Sequence, residues 1–190
     1  STAAVPKDFL EQHANVHVIP LFISVKGEYV PENEATIEQV IEYSESTKKA
    51  VPTSQPSTGD FLKLFESLPK EDPIIVICIT SGVSGTYNGA VLAARQSGRK
   101  QIAVINSRTT AVGMMEVLED GLDMIEKGLS FEEISKGLQE SASLMRTTFT
   151  VPTLDYLRRG GRVGKAAGLI GSILKIKPVI FLNDNNEVDV

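Results

Sequence analysis

One cysteine, two histidines and no apolar run long enough to cross a bilayer narrow this 190-residue chain before any motif is read. The lone thiol, Cys78, lies inside the most apolar stretch, Ile74 to Ile79. It is expected to be a small core residue rather than a nucleophile, and no disulfide can form within the chain, which fits a reducing compartment. His13 and His17 both lie far upstream of any candidate serine, so a Ser–His pairing has no support. No Asp/Glu/His cluster stands at ligand spacing, so no metal is expected; Asp184-Asn185-Asn186-Glu187 lacks the pattern of a calcium loop and reads as a hairpin turn. With no signal-peptide pattern and no spanning segment, the chain reads as cytoplasmic.

What is present describes an ordinary globular chain, 42% hydrophobic and 23% charged, long enough for one or two domains. The net charge of −5 is unevenly spread. Between Val151 and Lys177, Arg158, Arg159, Arg162, Lys165, Lys175 and Lys177 stand against Asp155 alone, a local +5 that leaves −10 elsewhere. Tyr156 is the single aromatic nearby, so the stacking platforms of a nucleic-acid module are missing and nucleic acid is not the expected partner. These charges read as a solvated face, with Arg162, held between Gly161 and Val163-Gly164, free to aim at a bound anion.

Strand and helix signals alternate. His17 to Val25 reads as a strand, with a turn at Lys26-Gly27-Glu28-Tyr29. Thr36 begins a helix whose Ile37, Val40 and Ile41 recur at helical spacing as a buried stripe. Val51-Pro52 stops it, and Thr53-Ser54-Gln55-Pro56-Ser57 forms a polar loop before a helix through Phe61, Leu62, Leu64 and Phe65. Ile74 to Ile79 and Ile102 to Ile105 are buried strands; Tyr87 to Gln96 and Ala111 to Lys127 are helices. Ser130 and Glu133 make a capping box for a helix to about Leu144. A mostly parallel sheet covered by helices follows, residues 1–150 forming one α/β domain. After Pro152 come a short helix at Leu154 to Arg159, a small-residue helix from Gly164 to Leu174, a strand at Lys177 to Leu182 and a turn at Asn183 to Asn186. Residues 151–190 read as the start of a second domain.

Ser81-Gly82-Val83-Ser84-Gly85-Thr86 is the most informative segment. A strand, a tight Gly/Ser turn and a helix point free backbone N–H groups at an anion, and the hydroxyls of Ser84 and Thr86 add donors there. The turn lacks the lysine of a P-loop, which favours a small carboxylate or phosphate over a nucleotide triphosphate. It also lacks the second glycine of a nucleophile elbow, Thr86 standing in its place. Thr53 and Ser54 can supply hydroxyls to the same anion. Polar anchors without a catalytic base describe a binding site. An enzyme acting on a small carboxylated or phosphorylated metabolite at the same strand ends is the alternative.

Three segments, in this order and spacing, resemble the DegV family: Thr53-Ser54-Gln55-Pro56-Ser57, Ser81-Gly82-Val83-Ser84-Gly85-Thr86-Tyr87, and Leu157-Arg158-Arg159-Gly160-Gly161-Arg162-Val163-Gly164. Lys175-Ile176-Lys177-Pro178 strengthens the match, and Asn106-Ser107 stands where the family has Asp-Ser. The resemblance implies a bacterial cytoplasmic protein with a Rossmann-like N-terminal parallel sheet and a second α/β domain. It implies a long-chain fatty acid in an enclosed apolar tunnel, with no other cofactor and no chemistry of its own. The carboxylate is presented to a fatty acid kinase that makes acyl-phosphate for phospholipid synthesis. Carried over by position, Thr53 and Ser84 are carboxylate donors, Ser54, Gly85 and Thr86 their neighbours, and Arg162 lies near the carboxylate or the docking kinase. Ile79, Val112 and Leu154, beside the motifs, are the expected tail lining. The family begins with a strand ending in Asp-Ser-Thr and runs well past the position of Val190; both parts are expected to be missing here, leaving the second domain truncated and the tunnel unclosed.

Overall fold

The computed structural model describes residues 3, 5–25, 27–164 and 179–189. Its centre is a parallel pair, β4 (Ile74–Cys78) and β5 (Ile102–Asn106), in register from Ile74↔Ile102 to Cys78↔Asn106. Both strands are apolar on every residue up to Cys78 and Ile105, because both faces are covered. Ile74, Val76 and Cys78, with Ile102 and Val104, face Phe61 and Phe65 of α3 (Thr58–Ser67) and Ala90 and Ala93 of α4 (Thr86–Gln96). Ile75, Ile77, Ala103 and Ile105 face Val117 of α5 (Val112–Glu126) and Ile134, Leu138 and Ala142 of α6 (Phe131–Leu144). The two-residue alternation of the strands thus divides one core into two, and burying Phe61 and Phe65 contributes about 1.5–3 kcal/mol each.

Arg99 fixes the far end of α3. Its guanidinium donates to the carbonyls of Phe65, Leu68 and Asp72 at 2.7, 3.1 and 2.8 Å, and also to that of Pro69, taking up acceptors that the helix end leaves unpaired. Cys78 is buried on the α3 side, and burial pushes its thiol pKa up to about 12, where it stays protonated and inert.

Two small antiparallel sheets flank this unit. The first has the order β2-β1-β3, from β1 (Phe22–Val25), β2 (Glu28–Pro31) and β3 (Thr53–Ser54). The second has the order β6-β7-β8, from β6 (Thr148–Thr150), β7 (Val179–Leu182) and β8 (Val188–Asp189). Among the described residues parallel pairing joins β4 to β5, and the helices that cover both faces complete the α/β arrangement expected from the sequence. A helix, α1 (Lys7–Gln12), follows Pro6 near the start of the chain. The strand expected from His17 is shorter, starting at Phe22, because only Phe22 to Val25 find partners on β2.

One further expectation is corrected. The helix α2 (Ile37–Thr47) forms with Thr36 as its cap, yet its apolar stripe is not buried: Ile37 is 73% and Ile41 50% exposed. It lies against the short strand β1, and among the described residues no layer buries its other side. The second sheet takes its first strand from Thr148–Thr150, on the N-terminal side of the boundary expected at 150, since Phe149 pairs with Ile180. In that sheet Phe149, Ile180 and Val188 share the inner face, with Ile180 and Val188 buried, while Val179 and Phe181 stand on the other face 57% and 37% exposed. The expected helix from Gly164 to Leu174, the segment Lys175 to Pro178 and the charge of Lys165 fall in residues 165–178, outside the described residues.

Candidate functional site

The carboxyl end of β4 opens into the Ser81–Thr86 turn, where α4 begins. Its N-cap is Gly85, which provides no side-chain cap, so the positive end of an 11-residue helix is left to other groups. The Ser84 hydroxyl lies 2.8 Å from that of Thr86 and also accepts from the Thr86 N–H at 3.4 Å. Thr86 is buried at 7% exposure; Ser84 and Gly85 are half-buried. Thr80, at the strand end, is fully buried, and its hydroxyl has no partner among the described residues.

Asn106 ties this turn to the end of β5. Its Oδ1 accepts from the N–H groups of Ser81 and Arg108, both at 3.2 Å, while its Nδ2 donates to the Ser81 hydroxyl at 2.8 Å. A carboxylate could accept the same N–H groups but could not donate to Ser81, so the amide knits the two strand ends without a half-buried charge.

The three sequence segments meet here. Thr53 and Ser54 form the exposed strand β3, held beside β1 through Ile23↔Thr53 and Phe22↔Ser54. Pro56 is buried, and Ser57 turns away to cap α3, exchanging hydrogen bonds with Asp60. Between them the Gln55 side chain lies on Gly85: a Cβ there would stand 2.2 Å from Gln55 Oε1. From the other direction Arg162, exposed and following α7 (Asp155–Arg159), donates through Nε to the Val83 carbonyl at 3.2 Å and through Nη1 to Gly160 at 2.5 Å. Arg158 pairs with Asp155 at 3.3 Å and stays on the exposed side of α7. The β7–β8 turn closes over the same place. Gly82 has no room for a side chain, since a Cβ would sit 1.6 Å from the Asn186 carbonyl oxygen, and Arg108 donates to the Asp184 carbonyl at 2.8 Å.

Neither histidine approaches Ser84 by hydrogen bond. His13 stacks on Phe9 and bonds its carbonyl at 2.9 Å, while His17 lines the cavity beside β4. The turn is thus furnished with hydroxyls, amides and a guanidinium, groups that hold an anion.

Of the residues expected to line a tail, Ile79 lies on a cavity. That cavity, of about 790 Å³, is bounded by Ile74 to Ile79 of the β4 stretch, the N-terminal segment, α3 and α5, and reaches Thr86. Val112 is 70% exposed and Leu154 half-buried; neither lines it. Alternate residues of a strand face opposite sides, so a space touched by six consecutive positions runs along the strand's edge. Among the described residues that edge of β4 has no partner strand. Backbone donors and acceptors along such a wall are satisfied by another strand and not by an acyl chain.

Comparison with known proteins places this arrangement. Residues 1–190 match the family model described as uncharacterised protein, DegV family. A DegV domain-containing protein of Staphylococcus aureus strain COL is 36% identical over 186 residues, covering 97% of this chain and 66% of that protein. The chain thus spans about two-thirds of the curated relatives it matches. The structure of a fatty-acid-binding DegV family protein from Thermus thermophilus superposes with a TM-score of 0.88 at 27% identity, covering 99% of this chain and 67% of that one. The fatty acid kinase (Fak) B3 protein of Streptococcus pneumoniae, loaded with linoleic acid, superposes at 0.76 with 27% identity, covering 90% and 62%. No described helix of this chain is long and apolar enough to cross a membrane.

Proposed function

The chain belongs to the DegV family, and we propose that it carries a long-chain fatty acid whose carboxylate sits at the Ser81–Thr86 turn, for delivery to a fatty acid kinase. One observation carries this reading: the Thr53-to-Gln55 loop and Arg162 both reach the turn that leads into the glycine-capped helix start, Gln55 at Gly85 and Arg162 at Val83. Taking an ionised carboxylate out of water costs several kcal/mol unless donors replace the water, and hydroxyls, N–H groups and a guanidinium are all at hand. Arg162 bonds two neutral carbonyls; a carboxylate is the stronger acceptor, with charge-assisted bonds about twice as strong. Each methylene withdrawn from water adds about 0.8 kcal/mol, so the chain supplies the affinity and the head the specificity.

For the tail we assign the open face of the β6–β7–β8 sheet, with Val179 and Phe181, rather than the cavity along β4. Val179 and Phe181 are the apolar centre of that face, with Thr148, Thr150 and Asp189 around them. The kinase would take up the acid as its acyl-phosphate, this protein supplying no reacting group. Supporting that division, the Ser84 hydroxyl is bonded to Thr86 rather than to a base.

The test is organic extraction and mass spectrometry of the protein purified without added ligand, expected to yield one equivalent of long-chain fatty acid. Thr53→Ala with Ser84→Ala should lower retention at least tenfold, since hydrogen bonds to a charged group contribute about 1.5–3 kcal/mol each. Arg162→Ala should slow acyl-phosphate formation by the kinase at least as much. An empty protein that also fails to take up added fatty acid would overturn the reading.

A further inference from the structure

Gln55 is the one member of the convergent segments whose side chain has no role in the fold described so far. Its amide lies along the first turn of α4, over Gly85 and Gly89, which are four residues apart on one helix face. A Cβ on Gly85 would come within 2.2 Å of Oε1 and 3.3 Å of Nε2; one on Gly89 would lie 3.6 Å from Nε2. The amide thus occupies a cleft that exists because both positions lack side chains, with its oxygen at the glycine cap of the helix. The backbone holding it is fixed on both sides. Thr53 and Ser54 are registered against β1, and buried Pro56 follows. Among the described residues the amide makes no hydrogen bond to protein, and a half-turn about its last bond brings its N–H donors to the Gly85 cap in place of the oxygen.

Resting on the fatty-acid reading above, we propose that Gln55 is a further head-group residue. Its neutral amide donates to the bound carboxylate and makes the site select the ionised acid over uncharged analogues of the same chain. A glutamine suits this place because it brings donors without adding charge. Glutamate has the same size and would set a second negative charge beside the ligand.

The test compares binding of palmitate and of its methyl ester to the wild-type protein and to Gln55→Glu and Gln55→Leu variants near neutral pH. Glutamate is close to isosteric and stands at the positive end of α4, so the variant should fold. We expect Gln55→Glu to weaken palmitate about tenfold or more while changing the ester about twofold or less. Gln55→Leu should weaken palmitate about threefold to tenfold, again sparing the ester. Equal changes in both ligands, or no change in palmitate, would mean that the side chain only packs and would overturn the inference while leaving the carrier reading intact. A wild-type protein that binds neither ligand would overturn both.

Discussion

Helices α2 and α3 begin in the same way and end in different circumstances. Each opens on a reciprocal capping box: Thr36 and Gln39 exchange bonds of 2.9 and 3.2 Å, Ser57 and Asp60 bonds of 2.8 and 3.2 Å. They are 11 and 10 residues long and both carry an apolar stripe. Yet α3 buries Phe61 and Phe65 at 2% and 1% exposure, whereas α2 buries nothing. Local chemistry therefore decides where a helix starts, and the neighbouring layer decides whether its stripe matters. The stripe of α3 faces a two-stranded parallel core covered by α4; that of α2 extends past a four-residue strand.

Removing the stripe residues should expose this difference most strongly. Phe65→Ala opens a cavity in a closed core and should cost about 3–5 kcal/mol, read as a lowered denaturant midpoint with an unchanged slope. Ile41→Ala should change stability by about 0.5 kcal/mol or less, because the side chain is half in water and alanine is the better helix former. A loss above 2 kcal/mol at Ile41 would mean that a layer covers α2 in the working protein. The helix ends come next. Arg99 gathers the carbonyls at the end of α3, whereas α2 closes on Lys48 in a left-handed conformation, φ 56°. Arg99→Ala should cost about 2 kcal/mol by leaving half-buried carbonyls unpaired, and lysine in its place should recover little, having no fork to span them. If lysine restores full stability, the geometry of the guanidinium is not what holds that end.

The same contrast explains which parts of the molecule were legible in the sequence. The start of α2 at Thr36, the capping box of α6, the apolar strands and the Gly/Ser turn are written within a few residues of one another, so these could be read directly. Burial of Ile37 and Ile41 could not, because a stripe is visible in sequence and its cover is not. The candidate site divides in the same way. Ser84, Thr53 and Arg162 belong to recognisable motifs. The residues that bring those motifs together act across the fold, over separations of 25 residues for Asn106 and Ser81 and 76 for Arg108 and Asp184. Gly82 looked like a turn glycine, but its lack of a side chain is required by Asn186, far along the chain.

The smallest expected difference lies in the capping boxes themselves, and pH separates them. The box of α2 closes on Gln39, which does not titrate, whereas those of α3 and α6 close on Asp60 and Glu133. The Ser57 hydroxyl and N–H hold the Asp60 carboxyl below its ordinary 3.8, and Ser130 does the same for Glu133 below 4.5. A carboxyl whose folded pKa is depressed contributes stability that is complete above the unfolded value and fades as pH falls through the folded one. Acidification below these ordinary values should therefore loosen the first turns of α3 and α6 while leaving that of α2 unchanged. Because Asp60 is mostly solvated, its share is expected to be under about 1 kcal/mol. Carboxyl titration by NMR should place both midpoints below their ordinary values, and amide exchange at Asp60 should lose protection on acidification where Gln39 does not. Asp60→Asn, which keeps an acceptor and removes the charge, should abolish the difference between the two helix starts. If α2 loosens in step with α3, the acid effect is global unfolding and the boxes contribute nothing separable.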